Sequence, residues 1–297
     1  MSPHSLRRLP TPRRPAALLC LAAAASVFAP SQGLAAEPDR ADAAAAARAR
    51  VVTTRGGTST GRARDAARAA LPLAGLSPAH RGQAAAILER HTLFRALPRT
   101  RFPIHPDALD YLVSHPDVSV ALWRVMGISA CELYQTGPTT YEADAKDGSV
   151  GSFEVVYDAP DQKVVLVNGQ FKSPVLSDPI EATALFHLRV GSVRERSGVN
   201  YGIGEASLFV AFPSRAVGTA AKLVSPVTNV ILDRNFEEVC LFAHLMDRSM
   251  RTRPRWVEEM AGQMTGVLPR RRGGLARLAG HVYAANQRRQ QLRTAGR

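Results

Sequence analysis

Residues 181–212 read EATALFHLRVGSVRERSGVNYGIGEASLFVAF, and this stretch decides the fold. Its apolar residues recur at every second position, the period of a half-buried strand. Ala182, Ala184, Phe186 and Leu188 share one face, and Gly202, Gly204, Ala206, Leu208 and Val210 share a face of the next run. Two long strands are predicted, Glu181–Val193 and Val199–Phe212. Toward the N-terminus the same period covers Thr140–Ala145, Val150–Tyr157, Lys163–Asn168 and Gln170–Leu176. Asp147-Gly148, Ala159-Pro160-Asp161 and Asn168-Gly169 supply turn chemistry between these runs. Short connections join neighbours antiparallel, so the runs predict a meander of about six strands.

On both flanks the period becomes helical. Ser77-Pro78 offers a capping hydroxyl followed by proline at the first helical position, which predicts a helix to about Arg95. His105-Pro106-Asp107 and His115-Pro116-Asp117 lie ten residues apart, and each precedes a helical apolar pattern. Proline at the first position and aspartate in the first turn start a helix, the acid suiting its dipole. After the strands, Ser225-Pro226 marks a boundary, and a long helix is predicted from about Val227 to Met250. Val230, Ile231, Phe236, Val239, Cys240, Ala243 and Met246 give it a broad apolar stripe. The expected class is therefore α+β: N-terminal helices, the antiparallel sheet, then one long C-terminal helix, with disordered or helical basic arms.

Over Phe102 to Met250 this order of elements resembles the helix-grip fold of START-like proteins, a superfamily that includes lipid-transfer domains and polyketide cyclases. The resemblance implies an apolar ligand held between a curved sheet and the long helix. Small residues at inward strand positions fit that expectation, because they leave volume. They fit close helix-on-sheet packing equally well. The candidate ligand-binding residues are Trp123, Phe186, Leu188, Gly202, Gly204, Phe242 and Met246, with plain core as the alternative reading of the large ones.

The chain divides into four parts. Residues 1–36 carry four arginines, a short apolar run at Ala16–Ala29 and small residues near Gly33-Leu34-Ala35-Ala36, the pattern of a cleaved secretory signal. Export to the periplasm or medium is the expected localisation. Residues 37–76 are low in complexity and read as a linker, 77–250 as the folded domain, and 251–297 as an arginine-rich tail. The net charge of +13 is uneven, with an acidic middle between basic arms. Only four of the 38 basic residues are lysines, so part of the arginine excess reflects coding bias. Arg270, Arg271, Arg272, Arg288 and Arg289 are the candidate contacts to an anionic membrane surface or acidic envelope polymer. A tail that is merely solvated, or folded back on the acidic core, is the alternative. Export disfavours nucleic acid as a partner.

Motifs that carry a reaction are missing. The histidines lack His-x-x-x-His spacing and the cysteines lack Cys-x-x-Cys spacing, so neither metal nor cofactor is expected. Cys131 and Cys240 remain after signal removal. They are a possible disulfide, worth roughly 4–5 kcal/mol through closure of a long loop, or two buried thiols. One polar constellation remains: Glu181, Thr183, His187 and Arg189 beside Tyr201, Glu205 and Ser207, on the strand faces opposite the apolar ones. It is expected to be a solvated outer surface, and no residue is assigned as catalytic. The preferred expectation is an exported, non-enzymatic binder of a lipid-like or other apolar molecule, its basic tail docking on anionic surfaces. The alternatives are a structural or interaction module of the cell envelope without a cavity, and a cyclase- or hydrolase-type enzyme using the His187 cluster.

Overall fold

The computed structural model describes residues 45–172, 179–213 and 215–295. The segment read as a signal, residues 1–36, and residues 173–176 of the fourth predicted strand lie outside these. After a helical turn at 45–48 come β1 (Val52–Arg55), α1 (Gly61–Ala69), α2 (Pro78–Arg90), β2 (Leu93–Ala96), β3 (Arg99–Pro103), α3 (Pro106–Ser114) and α4 (Pro116–Val125). Then follow β4 (Glu132–Gln135), β5 (Thr140–Asp144), β6 (Ser149–Ala159), β7 (Gln162–Phe171), β8 (Ile180–Arg194) and β9 (Asn200–Ala211). The chain ends in α5 (Arg215–Thr252), α6 (Pro254–Gln263) and α7 (Pro269–Ala295).

One antiparallel sheet organises the molecule, in the order β1-β3-β9-β8-β7-β6-β5-β4, with β2 also paired to β9. Among the described residues it has nine strands rather than six. Those missed are β1, β2, β3 and β4, each of only four or five residues, too short to display a period of two. Conversely, Asn168-Gly169 is not a turn: β7 runs straight through it, with Asn168 opposite Ser152 on one side and Thr183 on the other. Pairing on both edges outweighs a local turn preference. The two other turn signals hold. Lys146 and Gly148 take positive φ between β5 and β6, and Pro160-Asp161 joins β6 to β7.

Helix starts follow the proline rule. Ser77 Oγ accepts from His80 N, His105 Nδ1 accepts from Asp107 N, and Pro106 and Pro116 open α3 and α4. The long helix differs from expectation. It begins at Arg215 and runs through Pro226, and Val230 and Ile231, placed on its apolar stripe, are exposed. Cys240, Ala243 and Met246 of that stripe are buried as expected, joined by Asn235, Leu241, Phe242 and Met250.

Both sheet faces are covered. The segment read as a linker contributes β1, α1 and a 3-10 turn at Leu73–Gly75. Leu71 and Leu76 from it join Ile87, Leu88 and Phe94 over Val164, Leu166, Leu185 and Phe209. The face expected to meet solvent thus carries a core of its own. The opposite face is covered by α3–α7. The segment read as a tail is part of this layer: Val257, Ala261, Met264, Val267, Leu275, Ala279 and Val282 are buried with Trp123, Phe242 and Met246. Gly274 lets α7 approach α3, since a Cβ there would lie 2.9 Å from Tyr111 Oη.

Candidate functional site

A cavity of about 470 Å³ lies between the sheet and the α3–α7 layer. Its floor is the alternating face of the long strands: Val155 of β6, Val165 and Val167 of β7, Phe186, Leu188 and Val190 of β8, Gly204 and Leu208 of β9. Its roof comes from α3 and α4 (Leu109, Leu112, Trp123) and from one face of α5 (Leu232, Phe236, Val239, Phe242). Register explains why these side chains converge. Val165 pairs with Phe186, and Phe186 with Leu208, so one apolar row crosses three strands.

Five of the seven candidate ligand-binding residues line this space: Trp123, Phe186, Leu188, Gly204 and Phe242. Trp123 and Phe242 meet edge to face, with ring centroids 5.5 Å apart. Met246 and Gly202 do not line it. Met246 is 1% exposed within the helical core. Gly202 serves close packing, because a Cβ there would lie 2.8 Å from Ile104 Cγ2 and 3.2 Å from Leu109 Cδ2. Gly204, two residues on, has nothing nearer than Phe236 Cζ at 3.6 Å. The two readings of the small residues are therefore each true of a different glycine.

Polar groups are few around the cavity. Arg271 reaches it from the first turn of α7. Its guanidinium donates to Asp117 Oδ1 and, at 3.3 Å, to Tyr141 Oη, and lies over the Tyr141 ring at 5.9 Å. Arg271 is 8% exposed and Asp117 1%, so this arginine is no surface contact, contrary to its expected role. It occupies the buried stripe of α7 one turn before Leu275, which the helical spacing already contained. Among its fellow candidates Arg272 bonds Met264 O and Arg289 bonds Ser197 O, while Arg270 and Arg288 are exposed. At the rim Lys163 pairs with Asp158.

Asn235 is the lining residue that sequence reasoning missed. It sits on α5 one turn from Leu232 and Val239, is 6% exposed, and its Nδ2 has no hydrogen-bond partner. Its polar neighbours are engaged elsewhere: Asp233 with Arg95, Glu237 with Thr53, Glu238 with Arg48. A polar side chain inside an apolar helical stripe is the signal that marks it.

Cys131 and Cys240 both line the cavity and are unbridged. Cys240 Sγ lies 3.0 Å from Thr100 Oγ1, and Cys131 Sγ lies 3.7 Å from Glu132 O. Each thiol is thus turned to a partner in its own surroundings. Burial pushes their pKa values up, to about 11 for Cys131 and about 12 for Cys240. Both stay protonated and unreactive at neutral pH.

The His187 cluster stands on the other face of the sheet, away from the cavity. His187 is 2% exposed and its Nε2 lies 3.0 Å from Gln162 Oε1. Burial, reinforced by Arg189, lowers its pKa. Glu205 is held by Arg55 at 2.6 Å and Arg189 at 2.8 Å, with Arg99 at 3.8 Å. The acid is neutralised by cations and the histidine is turned to an amide, so the two do not form an acid–base couple.

One grouping escaped the sequence entirely. His105, Asp107 and His281, up to 176 positions apart, bring ligand atoms within 4.8 Å of one another. His281 Nε2 lies 3.2 Å from Asp107 Oδ2, and the imidazoles meet edge to face at 5.8 Å. Asp247 and Arg251, paired with each other, lie beside this grouping at the start of α3. His105 caps α3 and Asp107 meets His281, so the trio ties α7 to the start of α3.

No family profile matches the chain, and no curated protein matches it either. A solved structure similar to it is that of a conserved protein from Geobacillus kaustophilus, with 14% identity over 51% of this chain and 93% of that one, at a TM-score of 0.37.

Proposed function

We propose that this is a non-enzymatic carrier or receptor for a lipid-like molecule, held in the cavity between the sheet and the α3–α7 layer. The observation that carries the reading is the cavity itself: about 470 Å³ of space with mainly aliphatic and aromatic walls, within the size range of small-molecule sites. A domain of this size packs its interior densely, and a void of this volume forfeits dispersion contacts all along its lining. A ligand restores them. The resemblance to START-like proteins agrees with the reading. Export, if the first 36 residues act as a signal, puts the protein where envelope lipids are its neighbours.

Native mass spectrometry of the chain, purified without detergent, tests this. A reproducible extra mass that extracts into organic solvent is expected. Gly204→Trp, which places an indole in the cavity, should abolish it while leaving the thermal melt intact. An apo mass that gains nothing from a lipid panel would favour the envelope module instead, with Arg270 and Arg288 on the exposed side of α7 as its working surface.

A further inference from the structure

The charges around the cavity cancel, and that constrains the ligand. Among the described residues three charged ones line it, Arg271, Lys163 and Asp158. Arg271 is neutralised by Asp117, and Lys163 by Asp158. The second oxygen of Asp117 is buried without a hydrogen-bond partner among the described residues, so the Arg271 end offers an anion no surplus positive charge. An ionised head group brought here would lose its hydration and find no unpaired counter-charge among the described residues. What the wall does offer is the amide of Asn235, whose Nδ2 has no hydrogen-bond partner among the described residues. Leaving a buried amide donor unmade is unfavourable, and a ligand oxygen would satisfy it.

On the carrier reading above, we infer that the ligand is an uncharged amphipath, an apolar chain or ring bearing a neutral oxygen such as a hydroxyl, ester or ketone, with that oxygen accepting from Asn235. Anionic amphipaths, free fatty acids among them, are excluded by charge rather than by size. The selectivity comes from pairing every charge in the wall before the ligand arrives, so nothing rewards an anion.

The test measures displacement of Nile red by dodecanol, dodecanoate and dodecane, each delivered from cyclodextrin at about pH 8, where the carboxylate is ionised. Dodecanol should bind about tenfold or more tightly than dodecanoate, and more tightly than dodecane. Asn235→Leu continues the apolar stripe of α5 and should fold normally. It should erase the advantage of dodecanol over dodecane and leave dodecane bound as before. Dodecanoate binding as tightly as dodecanol would overturn the neutrality argument. An unchanged dodecanol preference in Asn235→Leu would overturn the Asn235 contact. Failure of all three probes, dodecane included, would overturn the carrier reading and this inference with it, which separates the two failures.

Discussion

The two faces of the central strands are built from alternate residues of the same sequence, yet one is filled and the other is hollow. On the filled face Leu185 and Phe209 are fully buried under α2 and stack with Phe94 and His91, at 4.9 and 5.4 Å from the Phe209 ring. On the hollow face Gly204 borders open space with Phe186, Leu188 and Leu208, while Ala182 and Ala184 are packed against Leu208 and Val210 at its edge. Polarity alone does not separate them, since the filled face carries an apolar core beside its His187 cluster. What separates them is how closely the opposite layer approaches: α2 closes onto Leu185 and Phe209, while α3–α5 stand off the Phe186–Leu208 row. Alternation of hydrophobicity positions a strand, and the layer above decides whether its face is filled.

The largest effect should come from the filled face. Phe209→Ala removes a fully buried ring with close partners and should cost about 3–5 kcal/mol. Phe186→Ala, one strand away and already facing open space, should cost about 1 kcal/mol, because fewer contacts are lost. Urea denaturation with linear extrapolation gives both values. Equal costs would mean that the cavity wall is packed as tightly as the filled face, and the contrast would fail.

Of comparable size is the ion pair at the cavity edge. Arg271→Met leaves Asp117 charged and buried without its partner, a loss of about 3–5 kcal/mol. Adding Asp117→Leu should restore most of it, since an apolar pair replaces a desolvated ionic one. Arg288→Met, on the same helix but exposed, should leave the urea midpoint where it was. This trio asks whether α7 belongs to the fold or is appended to it.

Smaller again is the contrast between the two glycines of β9. Gly202→Ala puts a methyl 2.8 Å from Ile104 Cγ2, which should cost about 1–3 kcal/mol through overpacking. Gly204→Ala meets only ordinary contacts and should be neutral or slightly stabilising in the melt, with a reduced capacity for ligand.

The class of the fold and the identity of the cavity floor were legible because both rest on a period of two sustained over long strands. Phe186, Leu188 and Gly204 follow from that period alone. Short elements were not legible. Four- and five-residue strands such as β1 and β2 owe their existence to β3 and β9 beside them, not to their own composition. The arginine-rich C-terminus misled for a different reason. Its charge obscured a sound helical stripe, Arg271, Leu275, Ala279 and Val282, in which one arginine takes an inward position because Asp117 waits there. Asn235 was hidden by the opposite assumption, that a polar residue on a helix faces water. The contact of His105 with His281 depends on tertiary placement, and no local pattern carries it.

The smallest expected effect concerns pH and again compares the faces. His187 belongs to the filled side, and His244 to the α5 layer, where its Nδ1 bonds Pro103 O at 2.7 Å. Burial is the leading cause that lowers the pKa of each, and of His105 as well. A lowered histidine pKa means that the unfolded chain binds more protons than the native one just below the unperturbed value of about 6.5. Stability should therefore be full above that value and decline as the pH falls through it. Asp247 opposes the trend at lower pH. Burial holds its carboxyl above the usual range, so the native state is the better proton binder there and acidification favours it. Calorimetric melts from neutral to mildly acidic pH should show a fall of a few degrees, which corresponds to about 1 kcal/mol for a chain of this size. His187→Gln and His244→Gln should each flatten part of the slope. If only His187→Gln does, the neighbouring Asp247 holds a protonated His244 in the native state as well, and the two layers differ in electrostatics rather than in burial.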